Sequence, residues 1–430
     1  MVPTWRFVLL VALAAIPVLL VPGWDTAGLA LAAAAFIALL DWLLTPRPRR
    51  VSAQRTPGRR VRLGEDTHAT LTLRNEGRRM QRLHVRDAWT PSAGAADVRF
   101  RTRLRAGESF ERVLTLTPTR RGVLPADRLT LRSRSWLGVL GRQTSIDVPA
   151  SIRVMPPFLS RRHLPSKLAR LRELDGRTAV MIRGLGTEFD SLREYVRGDD
   201  VRSIDWRATA RARELMVRTW RPERDRRVVI VLDSSRLAAR RCGTGTVFDA
   251  ALEAGQLLAA LAAGGGDRVD LLVADARVRA RIGPITGRDP MGRLSNELTD
   301  VDPELLDADW DAITSAVMRA ASQHSLVVLV TALDPTTVAE DILPALPVLR
   351  ARHSVAIASV ADPELESMAA RVHTPALAYR AAAAERELLE VRSVIGSLRE
   401  SGIHSVHEPP EDLAPALADL YISLKATGRL

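Results

Sequence analysis

Residues 227–235 read RVVIVLDSS, five apolar residues followed by Asp233, Ser234 and Ser235. A short run that is apolar on both faces reads as a strand covered on both sides, as in a parallel sheet. Working outward, similar runs recur at Val269 to Val273, Leu326 to Val330 and Val355 to Val360. Stretches with helical spacing lie between and after them, at Val247 to Ala263, Trp310 to Ser322, Val338 to Arg352, Ala382 to Glu400 and Leu413 to Ala426. This alternation predicts a parallel, doubly wound α/β sheet over residues 227–430. Such sheets bind ligands beyond the carboxyl ends of their strands, where the strand order reverses. The acid and two serines that close the first strand therefore mark the place to look for a site.

Upstream, residues 51–157 carry short alternating runs such as Thr70 to Leu73, Leu83 to Val85, Val113 to Leu116 and Leu129 to Leu131, separated by Gly, Pro and Asn. A small β-sandwich is the expected packing solution. From Arg161 to Arg183, ending at Gly184, the leucines at 164, 168, 171 and 174 follow helical spacing and predict a connecting helix. The expected organisation is a helical hairpin over 1–46, a β-sandwich over 47–160, a connector and signature block over 161–226, and the α/β domain over 227–430. A chain of 430 residues has room for several such cores.

Two apolar runs, Phe7 to Val21 and Ala27 to Leu44, flank the turn-like stretch Pro22 to Thr26. Each approaches the roughly 20 residues that cross a bilayer as helix. A link this short makes a tight transmembrane hairpin, with Trp5, Trp24 and Trp42 near the lipid interfaces. Arg47, Arg49, Arg50, Arg55, Arg59, Arg60 and Arg62 follow the second run with no acid before Glu65, so both ends are expected in the cytoplasm and the protein in the cell membrane. A cleaved signal peptide would not be followed at once by a second apolar run ending in arginines. Asp41, near the inner end of the second run, is read as reaching interfacial water.

The net charge is +12, and of 62 Lys and Arg only Lys167 and Lys425 are lysine. Aromatic residues are 4% of the chain and do not interleave with the arginines, so the stacking platforms that single-stranded nucleic acid needs are missing and no nucleic-acid partner is expected. The single cysteine, Cys242, excludes an intramolecular disulfide and a cysteine metal cluster. The eight histidines show no metal-ligand spacing, and no Gly-Lys-Ser/Thr phosphate loop occurs.

The stretch from Gly186 to Arg211, GTEFDSLREYVRGDDVRSIDWRATAR, followed by Asp233 after an apolar strand, resembles the signature of the family called domain of unknown function fifty-eight. That resemblance implies a membrane hairpin, a β domain and a von Willebrand factor A-like domain. It also implies the company of MoxR-type AAA+ ATPases and of other von Willebrand factor A-like proteins. Domains of that type often hold Mg²⁺ through Asp-x-Ser-x-Ser, a Thr and a second Asp, hard oxygen ligands that suit the ion. Asp233 and Ser235 match the first two positions, while Leu237 and Ala332 stand where a Ser and an Asp are required. Asp334 or Thr331 is the nearest substitute, but a shift of register along a strand end changes where a side chain points. The motif is degenerate, so no cofactor is expected and Mg²⁺ is disfavoured. Asp233 and Ser235 are instead expected to satisfy backbone donors in the loop.

Glu188, Asp190, Asp199, Asp200 and Asp205 supply enough carboxylates for a divalent-metal hydrolase, which is the alternative reading. Arg193, Arg197, Arg202, Arg207, Arg211 and Arg213 are interspersed among them, and an arginine–carboxylate network is the favoured use. Gly198-Asp199-Asp200 reads as a turn, and Trp206, alternating with Ile204 and Ala208, is expected to pack inward. A third reading places the arginines on anionic lipid, against which the acids spread along the sequence weigh. The leading expectation is a membrane-anchored, non-enzymatic scaffold or adaptor in envelope assembly or maturation. It binds a MoxR-type ATPase through the signature block, at Arg193, Asp199, Asp200, Asp205 and Trp206.

Overall fold

The computed structural model describes residues 2–181, 188–196, 199–221, 226–243, 245–285 and 290–428. Of the sequence positions singled out above, Arg183, Gly184, Gly186, Thr187, Arg197 and Gly198 lie outside the described residues. The chain divides into two compact units, Met1–Pro157 and Phe158–Leu430.

The first unit opens with two apolar helices, α1 (Trp5–Leu20) and α2 (Trp24–Leu44). The second is long and apolar enough to cross a membrane and the first is shorter, and both expose most of their large apolar side chains. Their composition points to membrane association.

Eight longer strands follow: β1 (Val51–Pro57), β2 (Thr67–Asn75), β3 (Gln81–Trp89), β4 (Arg99–Leu104), β5 (Ser109–Leu116), β6 (Gly122–Arg134), β7 (Leu140–Ile146) and β8 (Ser151–Met155). β1, β2 and β5 form one sheet. The others form a second sheet, completed by the two-residue strands Val2–Pro3 and Val61–Arg62. Alternation sends Leu71 and Leu73 of β2 and Leu83, Leu129 and Leu131 of the second sheet into a shared core. Between the sheets Arg55 is buried with Asp87, its Nη2 2.6 Å from Oδ1, and also donates to the Val148 carbonyl. One of the arginines read as a topology signal is therefore a core ion pair.

Asp41 is buried rather than reaching water. Its carboxylate accepts from the Val139 and Leu140 amides, both at 2.8 Å, and from the Ser135 hydroxyl. The loop entering β7 supplies donors that no other strand satisfies, and a carboxylate within reach replaces water.

In the second unit, α3 (Leu164–Met181) packs Leu171 against the main core. A small module follows: β9 (Glu188–Glu194), α4 (Trp206–Ala212) and β10 (Met216–Arg221), with β9 and β10 antiparallel. The remaining elements are β11 (Arg227–Asp233), α5 (Val247–Gly264), β12 (Arg268–Ala274), β13 (Val278–Ile282), α6 (Pro290–Leu298), α7 (Trp310–Ala320), β14 (Leu326–Val330), α8 (Leu343–Arg350), β15 (Ser354–Val360), α9 (Pro363–Ala369), α10 (Pro375–Glu400), β16 (His404–Glu408) and α11 (Pro410–Ala426).

Among the described residues the sheet has six strands in the order β13-β12-β11-β14-β15-β16, parallel except for the β13 edge. Val228, Ile230 and Leu232 of β11 pack with α5 and α11, while Val229 and Val231 pack with α7, α8 and the end of α10. Helices thus cover both faces, which explains the unbroken apolar run. α5 is apolar enough to resemble a membrane span but is a core helix, started by a reciprocal Thr246–Asp249 capping box. β13 and β16 are missing from the sequence reading because Val278–Ile282 is interrupted by two arginines and His404–Glu408 is polar, as edge strands tolerate. The helix expected from Val338 starts one turn earlier, at Pro335–Thr337, and passes through a wider-wound π turn at Val338–Ile342 before α8.

Candidate functional site

The strand order reverses between β11 and β14, so their carboxyl ends open the crevice where such sheets hold ligands. Asp233 ends β11 there, and its environment is the protein's own. Thr331, just past β14, donates its hydroxyl to Asp233 Oδ2 at 2.6 Å, and the Ser235 amide donates to Oδ1 at 2.8 Å. Burial, which penalises the charged form, raises the Asp233 pKa; the bonds from Thr331 and Ser235 oppose the rise.

The neighbouring strand end is built in parallel. Asp275, fully buried after β12, accepts from the Ser234 hydroxyl at 2.9 Å and from Arg279 Nη1 at 3.2 Å. Arg279 also pairs with Glu304. The segment 301–309 lies over these ends: the Glu304 amide donates to the Ser234 carbonyl at 2.9 Å, Arg236 N to the Leu306 carbonyl at 2.8 Å, and Asp309 N to the Asp275 carbonyl at 3.1 Å. Arg236 further pairs with Asp307.

The residues present do not fit a divalent cation. Leu237 and Ala332 offer no oxygen side chain where the motif requires ligands, each Asp233 oxygen already accepts from a protein donor, and Asp334 Oδ2 caps the next turn through Thr337 N at 3.0 Å. Among the described residues no group of three or more His, Cys, Asp or Glu is arranged to hold a metal. Thr331, named from the sequence with Asp334 as a substitute ligand, instead bonds Asp233. Asp275 and Arg279 were not singled out, and for Asp275 no signal existed beyond its place after β12.

The signature residues are gathered on the β9–β10 module. Arg193 forms a two-pronged pair with Asp199, Nη1 to Oδ2 at 2.7 Å and Nη2 to Oδ1 at 2.6 Å, and the Val196 amide adds a bond at 2.9 Å. The Arg193 hydrogen bonds hold the Asp199 carboxyl below the ordinary range, and the same pair raises Arg193. Asp200 starts a short 3-10 turn by accepting from the Arg202 amide at 3.0 Å.

Asp205 caps α4, its Oδ1 accepting from the Arg207 and Ala208 amides at 2.9 and 3.0 Å, while Oδ2 accepts from Arg218 Nε at 2.8 Å. The Ala208 amide, then Arg218, lower its pKa. Asp199, Asp200 and Asp205 are each committed to backbone or guanidinium donors. Arg218 enters the network, a partner the sequence reading missed because it lies across the hairpin.

Trp206 does not pack inward: it is 67% exposed. The alternation with Ile204 and Ala208 fails because Trp206 is the first residue of a helix, in which residues two apart do not share a face. Val196 and Val201, both 62% exposed, and the partly exposed Leu192 and Leu215 belong to the same module.

Comparison with known proteins gives relatives without an assigned activity. Uncharacterized protein Mb1516 of Mycobacterium bovis and Uncharacterized protein Rv1480 of Mycobacterium tuberculosis are each 28% identical over 229 residues, 49% of this chain and 70% of each relative. Among solved structures, the ASH / PapD-like domain of human CEP192 aligns with 25% of this chain and 85% of that chain at 12% identity, with a TM-score of 0.20, too low to bear on the fold. The family described as Protein of unknown function DUF58 matches residues 191–375, from the signature module to the start of α10, and this match bears out the resemblance read from the sequence.

Proposed function

We propose that the chain is a membrane-anchored, non-enzymatic adaptor whose α/β unit, of von Willebrand factor A-like type, presents the signature module to a protein partner. The single observation that carries this reading is a division of labour. At the crevice where a ligand belongs, Asp233 is consumed by Thr331 and Ser235 and segment 301–309 lies across the strand ends. The signature module instead leaves Val196, Val201 and Trp206 exposed beside the fixed Arg193–Asp199 pair. An exposed tryptophan among apolar neighbours and an immobilised arginine pair has the composition of a protein-binding hot spot.

The order of the sheet, with one antiparallel edge strand beside the second strand, supports the von Willebrand factor A-like assignment. The partner class, a MoxR-type AAA+ ATPase acting in envelope assembly or maturation, rests on the resemblance. The arginines after α2 that are not buried in the core, Arg47, Arg49, Arg50, Arg59, Arg60 and Arg62, support a two-span anchor with the sandwich and the α/β unit in the cytoplasm.

The test is a pull-down of tagged full-length protein from membranes, with and without ATP, read by mass spectrometry. An enriched AAA+ ATPase is the expected result. Its absence under both conditions sinks the partner assignment and gives the hydrolase alternative equal claim.

A further inference from the structure

One face of the second sheet in the membrane-associated unit is cationic across three adjacent strands, β4, β3 and β6. Across the register, Arg82 of β3 lies between Arg103 of β4 and Arg134 of β6. One step along, His84 lies between Arg101 and Arg132, and the next row pairs Arg86 with Arg99 and Thr130. On β7 the matching positions are Gly141, Gln143 and Ser145, so no acid shares these rows. The basic side chains are exposed or half-buried, whereas the opposite face carries Leu83, Val85, Leu129 and Leu131 into the core.

Like charges directly opposite one another weaken strand pairing, so a face of this kind calls for an anion. The crowding is evident at Arg134, whose Nε is buried without a hydrogen-bond partner. Burial, then Arg132, Arg101 and Arg6, push the Arg134 pKa down, and burial followed by the arginines does the same to His84.

The position of this face argues for its occupant. Arg6, at the start of α1, donates to the Leu137 carbonyl at 2.7 Å, and Thr4 Oγ1 donates to the Gly138 carbonyl at 2.7 Å. At the end of α2, Arg142 Nη2 donates to the Trp42 carbonyl at 3.0 Å, with its guanidinium 4.3 Å from the Trp42 ring centroid. The β6–β7 loop between these ties projects Trp136, 79% exposed, and Leu137. An indole level with the helix ends belongs at a lipid interface, and guanidinium groups match phosphate oxygens.

We infer that this arginine face and the Trp136 tip dock on the anionic phospholipid headgroups of the bilayer that holds the helical hairpin, an inference resting on the membrane anchor proposed above. Nucleic acid is the weaker fit, because the basic rows contain no Phe, Tyr or Trp to form a stacking platform, and His84 alone supplies a ring.

The experiment uses full-length protein in neutral-detergent micelles, titrated with dioctanoyl phosphatidylglycerol, dioctanoyl phosphatidylcholine, inorganic phosphate and a single-stranded oligonucleotide. Phosphatidylglycerol is expected to bind at least about ten-fold tighter than phosphatidylcholine or phosphate, and to weaken as salt rises from about 50 mM to about 300 mM. The variant combining Arg101→Gln, Arg132→Gln and Arg134→Gln is expected to lose about ten-fold of that binding. The salt series on the unmodified protein decides the matter should this variant not fold. Equal binding of the two lipids, phosphate binding as tightly as phosphatidylglycerol, an unaffected variant or tighter binding of the oligonucleotide would each overturn the inference. Carbonate extraction of native membranes separates the two readings: release of the protein refutes the anchor itself, whereas retention without a lipid preference refutes only the headgroup site.

Discussion

At the scale of single residues, Asp233 is a buried strand-end acid that takes one protein donor on each oxygen. Asp233→Asn keeps an oxygen for the Ser235 amide and an amide facing Thr331, so its stability is expected within about 1 kcal/mol of native by denaturant unfolding. Millimolar Mg²⁺ is expected to leave the unfolding midpoint unmoved, and a Mg²⁺-dependent rise would restore the metal. The histidines make a pH prediction of definite sign. Burial lowers the pKa of His84, His353 and His407 from 6.5, and both ring nitrogens of His353 are buried without partners. The folded state therefore binds fewer protons than the unfolded one, and their contribution is full above pH 6.5 and lost as pH falls through the folded values. Urea midpoints are expected to drop between about pH 7.5 and about pH 5.5, and His353→Leu to flatten that drop. Residue-level reading of the sequence found a backbone donor for Asp233 and an arginine–carboxylate network in the signature block, because the Ser235 amide and the Arg193–Asp199 contact are local; the Thr331–Asp233 bond, 98 residues apart, was not read. It misplaced Asp41 and Trp206, because a donor loop about a hundred residues away and a helix start decide where those side chains go.

At the scale of elements, the C-terminal helix α11 is held by one polar cluster. The end of α11 is latched by Lys425, whose Nζ lies 2.9 Å from Asp267 Oδ1, while the Tyr421 hydroxyl donates to Oδ2 at 2.5 Å, all buried. Lys425→Met leaves Asp267 buried without its cation and is expected to cost about 3–5 kcal/mol in chemical denaturation. In the signature module, Arg193→Ala and Asp199→Ala each remove a fixed charge beside the exposed apolar residues. Both are expected to weaken capture of the ATPase while leaving the circular dichroism spectrum of the protein unchanged; native-level capture would confine the pair to folding. Buried elements were legible because covered strands are apolar throughout, as at β11 and β14. Edge strands β13 and β16 were not, because half their surface needs no apolar cover.

At the scale of the whole molecule, acids and arginines that look evenly mixed along the sequence separate once the strands pair. Alternation at period two collects Arg82, Arg101, Arg132 and their row-mates on one side, while Asp87 turns inward to Arg55. That segregation is invisible without the register. If Trp136 meets lipid, the full-length protein in bilayers of brominated phospholipid should lose measurably less tryptophan emission when Trp136→Phe is introduced. Equal quenching in both proteins would leave the tip in water.

The two ends of the helical hairpin are fastened to the same β6–β7 loop, through Thr4 and Arg6 on one side and Asp41 and Arg142 on the other. A domain on a flexible leash bobs and tumbles above its membrane. If the proposed anchor holds, the leash here has no slack, and the sandwich is a post set at constant height above the bilayer. A motor that pulled on it would find no compliance to take up first, and the load would pass directly into the tilt of the helices.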